Sequence, residues 1–293
     1  MPHFIRLTHL MGVLFIALFS QLAIAQPALW SVEKNGVTSY LFGTVHVGDS
    51  KMHGLDNRIK TAIANSQTVV VELNTQAIGA LELQRRTLPF MLQKQGRTLK
   101  TSLSAETYQK VQRYFSERQI DITLFNNYQP WFVMLTILQL EYQKAGFSEE
   151  FGIDKQVIEY AAGLNKPIME LESLEQQLAL FSALGIQSDA MLLDTLKQVE
   201  DFDSYFTRMI NAWKNGDYQQ LDVFYKLSFD DSKYGQQAEQ VMLIERNNHW
   251  VTTLTPKLTN SSHFIAVGAL HLPQQHGLIK QLQARGFKVE RLK

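Results

Sequence analysis

Cysteine is absent from the 293 residues. That excludes disulfides, thiolate nucleophiles, iron–sulfur clusters and Cys-ligated zinc, and leaves His, Asp, Glu, Asn or backbone oxygen as the ligands for any metal. Net charge is missing as well, because 28 basic side chains balance 28 acidic ones. With no long basic run either, nucleic acid is not an expected partner. No internal repeat is visible, which excludes a solenoid. Beyond the first 25 residues no stretch is long and apolar enough to span a bilayer, which takes about 20 residues. Apolar residues themselves are plentiful, at 45% of the chain, enough for a large core and too many for disorder.

The start of the chain reads as an export signal. Arg6, with His3, supplies a weak positive region, and Leu10 to Phe19 is apolar apart from Gly12. Ala23-Ile24-Ala25 then forms a small-residue cleavage site. The expectation is a signal peptide over 1–25, cleaved after Ala25. The mature chain over 26–293 is then periplasmic or secreted, with no membrane span. No cysteine follows the site, so a lipoprotein anchor is excluded.

Hydrophobic patterning places strands at both ends of the mature chain. Leu29–Glu33 and Ser39–Val45 flank Asn35-Gly36, a pair suited to the positive φ angles of a tight hairpin. Thr68–Leu73 opens on an uninterrupted β-branched run, the pattern of a strand covered on both faces. Between them Asp56–Ser66 reads as a helix, giving a βαβ unit. His263–Gly268 is a further strand. Gly277–Arg285 reads as a helix closed by Gly286, and Phe287–Arg291 as a final strand. From about 78 to 249 the pattern is mainly helical, with a possible strand at Lys166–Leu171 and one long helix over Ala190–Ala212. The expected fold is α/β: one domain with a central, mostly buried β-sheet built from N- and C-terminal segments, and a large helical insertion in the middle.

Two tetrapeptides share one form, Gly43-Thr44-Val45-His46 and Gly268-Ala269-Leu270-His271. Each stands where a strand pattern stops, and in open α/β sheets the carboxyl ends of strands form the ligand crevice. A glycine there permits close backbone approach. Glu72, the acid of an otherwise apolar strand, ends at the same level. Two imidazoles and a carboxylate in one crevice suit a first-row metal with open positions. Arg246 has no acid three or four residues away on its own helix, which favours a pocket role over a helical ion pair. Glu170, Glu172 and Glu175 lie at a helix start and read as acids favouring the positive end of its dipole, with Glu172 within reach of the pocket. Asp154 reads as another helix N-terminal acid.

These residues, taken in order, resemble the TraB/PrgY/GumN family. The likeness rests on Phe42 to His46, on Val70-Val71-Glu72 and on Val267 to Leu272. Gly152-Ile153-Asp154, Lys166-Pro167 through Leu171-Glu172, Trp213 to Asp217, Glu245-Arg246-Asn247, and the closing helix and strand extend it over nearly the whole mature chain. This family groups with the TIKI metalloproteases and, more distantly, with erythromycin esterase-like and ChaN-like proteins. The resemblance implies a reactive cluster of His46, Glu72 and His271, supported by Arg246 and Asn247. It also implies a divalent metal, manganese or cobalt, on His46, Glu72 and His271. The sequence departs from relatives at Pro273 to Gly277 and at Ser173.

The expected function is an exported hydrolase, a metal-dependent peptidase or peptide-trimming enzyme acting on a peptide or small-molecule substrate. In that scheme Glu72 takes the water proton, Arg246 stabilises the oxyanion and Asn247 orients the carbonyl. Two alternatives stand beside it: a non-catalytic protein that binds a peptide signal, metal or haem, and a metal-free esterase with a His base.

Overall fold

A computed structural model describes residues 26–292; the expected signal peptide lies outside them. The chain runs through β1 (Leu29–Lys34), β2 (Val37–Thr44), α1 (Asn57–Asn65), β3 (Thr68–Val71), α2 (Ala80–Met91), α3 (Leu99–Ser102) and α4 (Ala105–Ser116). It continues with α5 (Pro130–Lys144), α6 (Ile153–Gly163), β4 (Ile168–Glu170), α7 (Leu174–Leu184), α8 (Ser188–Gln198), α9 (Phe202–Lys214), α10 (Tyr218–Ser228) and α11 (Lys233–Glu239). A π-helical turn over Gln240–Ile244 leads into α12 (Glu245–Leu258), followed by β5 (His263–Gly268), α13 (Leu278–Ala284) and β6 (Lys288–Leu292). Among the described residues, no helix is long and apolar enough to cross a membrane.

The expected α/β architecture is present. The six strands form one sheet in the order β4-β3-β5-β2-β1-β6. β4, β3, β5 and β2 are mutually parallel, while β1 runs antiparallel to both β2 and β6. The β1–β2 hairpin turns at Asn35 and Gly36, whose φ angles of 54° and 79° fit the left-handed turn that the sequence demands. Along β3, Val69 and Val71 face one core and Val70 the other, as expected for a strand covered on both sides. The first core packs the sheet against α1, α6 and α9 through Ile63, Val157 and Phe206. The second packs it against α12 and α13 through Trp250, Leu254 and Leu282. The insertion has a third core of its own, in which Phe115, Trp131, Ile137 and Met191 are buried.

One expectation is sharpened and one corrected. The β2–α1–β3 segment is a βαβ crossover between parallel strands of one sheet, with β5 lying between β2 and β3 and pairing with both. The long helix over Ala190–Ala212 is broken at Val199–Asp201 by a 3₁₀ turn. The break lets α8 bury Met191 and Leu192 in the insertion's core, while α9 buries Phe202, Phe206 and Ile210 against the sheet side. A straight helix would aim one of those sets at solvent.

Candidate functional site

Each of the four parallel strands delivers one side chain just past its carboxyl end. His46 follows β2, Glu72 follows β3, Glu172 follows β4 and His271 follows β5. The glycine at the end of β5 marks where they meet. A Cβ on Gly268 would lie 3.3 Å from Glu72 Oε1, 3.5 Å from His271 Cδ2 and 3.8 Å from His46 Nε2. The other motif glycine has a packing role: a Cβ on Gly43 would stand 2.9 Å from Ala269 Cα. The Gly43 carbonyl accepts the Trp213 indole N–H at 2.7 Å, tying α9 to the end of β2.

Arg246, at the start of α12, is the hub. Its Nε and Nη2 donate to the two oxygens of Glu172, both at 2.8 Å, in a bidentate pair. Nη2 donates also to Glu72 Oε2 at 2.5 Å, and Nη1 to the Met242 carbonyl and to His271 Nε2, each at 3.0 Å. A guanidinium has five N–H groups, and all five are taken. Trp250, one turn further along, covers the guanidinium at 4.7 Å and donates its own N–H to Glu172 at 3.1 Å. The Met242 carbonyl belongs to the π turn, where the Glu245 N–H reaches back five residues to the Gln240 carbonyl. Such turns recur at functional sites in other helices.

The protonation state of His271 follows from its neighbour. Asn247 Nδ2 donates to the backbone carbonyls of His271 and His276, so its Oδ1 must be the acceptor toward His271 Nδ1, 2.7 Å away. His271 therefore carries its proton on Nδ1, and Nε2 accepts from Arg246. Burial, with the Arg246 cation beside it, outweighs the pull of Glu72 and lowers the His271 pKa to about 3. The residue is 4% exposed, and its ring lies tilted by 38° against Trp250 with centroids 4.4 Å apart. For Glu72, burial opposes ionisation, but the facing His271, Arg246 and His46 and the Gly268 N–H at 2.7 Å prevail, holding its pKa at about 2.

His46 differs from the rest. Its side chain is 71% exposed. Nδ1 pairs with Asp154 Oδ2 at 2.9 Å, and Thr44 Oγ1 donates to the other oxygen of that carboxylate. Asp154 raises the His46 pKa, and water over the exposed ring screens that attraction. The pairing leaves Nε2 turned toward Glu72 and Gly268. Asp154 is held in place because the Ile153 N–H donates to the Val45 carbonyl, and because Gly152 passes so close to the His46 carbonyl that a Cβ there would clash at 2.4 Å.

The structure thus brings His46, Arg246 and His271 to one cavity, of about 720 Å³, with Glu72 buried beside it on the Gly268 N–H and Arg246, and Asn247 bonded behind His271. It differs from the expected division of labour. Arg246 has no N–H left for an oxyanion, and Asn247, 2% exposed, spends its amide on His271 and two carbonyls. Both position other residues. Glu172 is no helix cap, since Ser173 caps α7 and Glu172 binds Arg246. Glu170 accepts from the Asn74 N–H, and Glu175 pairs with Arg86. Glu172 and Asp154 are the residues that the sequence reading undervalued. The signal for Glu172 was its place right after a strand pattern, the same signal that singled out Glu72.

The fit of a metal can be tested on these donors. His46 Nε2 and Glu72 Oε1 face a common space and keep lone pairs. His271 Nε2 does not, because its lone pair is engaged by Arg246, which also holds Glu72 Oε2. As arranged, His46, Glu72 and His271 do not fit a three-donor centre.

Fold and site together define a class: a mixed α/β domain with a His–carboxylate–Arg cluster at the carboxyl ends of parallel strands. Residues 28–291 match the TraB/PrgY/gumN family, and the chain belongs to it. It is 28% identical to the uncharacterized protein YbaP of Shigella flexneri over 245 residues, covering 84% of this chain and 88% of YbaP. Likeness to YbaP of Escherichia coli (strain K12) is also 28%, over 83% of this chain and 87% of the relative. An uncharacterized protein of Treponema pallidum (strain Nichols) is 22% identical over 69% of this chain and 61% of its own. No solved structure matches the chain significantly.

Proposed function

We propose that this protein is an exported hydrolase that cleaves an ester or amide bond beside His46. The reading rests on one observation: Glu72 Oε1 and His46 Nε2, its ring held by Asp154, come within 3.3 and 3.8 Å of the point that a Cβ on Gly268 would occupy. A water between them donates one proton to His46 as its oxygen attacks the carbonyl carbon, while Glu72 fixes the second proton. His46 then returns its proton to the leaving alcohol or amine. Asp154 keeps the Nδ1 proton in place and stabilises the imidazolium between the two transfers. His271, neutral and buried, keeps its one proton on Nδ1 toward Asn247, and the Glu72 carboxylate is fixed by Arg246 and the Gly268 N–H.

The test is incubation with chromogenic esters and with a peptide library read by mass spectrometry. His46→Ala is expected to lower turnover by at least about 100-fold, the usual scale of a lost general base. Equal turnover in the variant overturns the proposal, and ligand retained without product marks a binding protein instead.

A metal-dependent reaction is the second reading, favoured by the buried charge: two carboxylates, Glu72 and Glu172, face one guanidinium. It requires Arg246 to release His271. Manganese or cobalt that co-purifies in stoichiometric amount, with activity lost to a chelator and restored by the ion, selects it. For the cellular location we propose the periplasm or exterior, from the signal-like residues 1–25. A mature chain whose first residue is Gln26 is the expected result of N-terminal sequencing.

A further inference from the structure

We infer that the substrate of this site is a neutral ester or amide with a straight apolar acyl group; the inference rests on the hydrolase reading above. The cavity has two unlike ends. Strand ends supply the polar one, with Thr44, His46, Gly268 and His271. The insertion supplies the other, a wall that includes Leu138 and Tyr142 of α5, Phe206 and Met209 of α9, Leu221 of α10, and Phe229. A carbonyl at His46 therefore has its substituent running along an apolar wall.

Charge narrows the class further. Among the described residues the cavity is lined by no lysine and by no arginine but Arg246, whose N–H groups are all engaged. The acids Glu149 and Glu150 line it as well and are exposed. A phosphate, sulfate or carboxylate on the substrate would meet these carboxylates, and the one cation open to it, the protonated His46 ring, is already paired with Asp154. Backbone recognition is closed off too. β2 and β5, whose ends line the cavity, each have a neighbour on both sides, and the edge strand β4 contributes nothing to the lining, so the cavity offers no free strand edge to an extended peptide. A straight acyl chain needs no such edge.

The full-length mature protein is tested in two arms. In the first, neutral 1-N-phenylnaphthylamine is displaced by butanamide, hexanamide, octanamide and octanoate. Affinity is expected to rise with each methylene, by up to about fourfold at the usual burial increment, and octanoate to bind at least tenfold more weakly than octanamide. In the second, p-nitrophenyl esters from acetyl to octanoyl are compared by kcat/KM, with the same trend expected. Met209→Trp, which fills the apolar end, is expected to flatten both series beyond butanoyl; the wild-type series stands if that variant fails to fold. Amide affinities that lengthen with the chain while no ester turns over sustain this inference and overturn the hydrolase reading. Affinity and kcat/KM that do not depend on chain length, or octanoate competing as well as octanamide, overturn the inference.

Discussion

Arg246 is a cation shared by two carboxylates and an imidazole, with none of its donors facing substrate. Buried pairs of this kind are weak net stabilisers, but removing one partner leaves the others uncompensated, at a cost of about 3–5 kcal/mol. Arg246→Gln is expected to lose about that much in urea denaturation, because Glu72 and Glu172 are left facing each other without a counter-ion. Asp154 acts on His46 in a different way. The proposed hydrolysis uses the neutral ring, so kcat/KM is expected to rise with pH as the raised pKa of His46 is passed. In Asp154→Asn that rise moves to lower pH while its plateau falls, a shift that pH–rate profiles of the two proteins read directly. Loss of rate with no shift in the profile counts against the His46–Asp154 pair.

Elements divide the work cleanly. Strand ends carry the polar cluster, and the helices between β3 and β5 carry the apolar wall. Much of this was legible in the sequence. The Asn35-Gly36 hairpin, the buried run Val69 to Val71 and the paired Gly-x-x-His motifs are local patterns with local causes. What was not legible depends on contacts between distant segments. No residue pattern announces that β5 inserts between β2 and β3, and the break at Val199 exists because α8 and α9 have different cores to fill. Glu172 could be read as a cap acid only because its partner lies 74 residues away on α12. The π turn at Gln240–Ile244 is of the same sort. Deleting Val241 should restore the ordinary helical register and rotate Arg246 by about 100° relative to α11. The expected result is lost activity and a lower melting temperature with undiminished helical circular dichroism.

For the whole molecule, the buried ionisable groups set the pH range of stability. Glu72 titrates near 2 in the fold against a usual 4.5, and His271 near 3 against 6.5. Both folded values are depressed, so their contributions are complete above the unfolded values and decline as pH falls. The His271 part begins to fail near pH 6.5, well above the point where carboxylates alone would act. His46 has the opposite sign: its raised value adds stability that is present below 6.5 and lost as pH climbs. Urea midpoints are therefore expected to peak near neutrality. The acid-side decline between pH 6.5 and 5 should be absent from His271→Asn, measured against that variant's own lower maximum. An acid limb that starts only below pH 5 in the wild type contradicts the neutral buried ring.

The placement of β5 also bears on when this molecule comes alive. The strand that joins β2 to β3 comes long after both in the chain, so the sheet stays split in two until residues 263–268 have been made and have slotted between them. Neither half holds the whole cluster, and whatever the site does waits on that late joining.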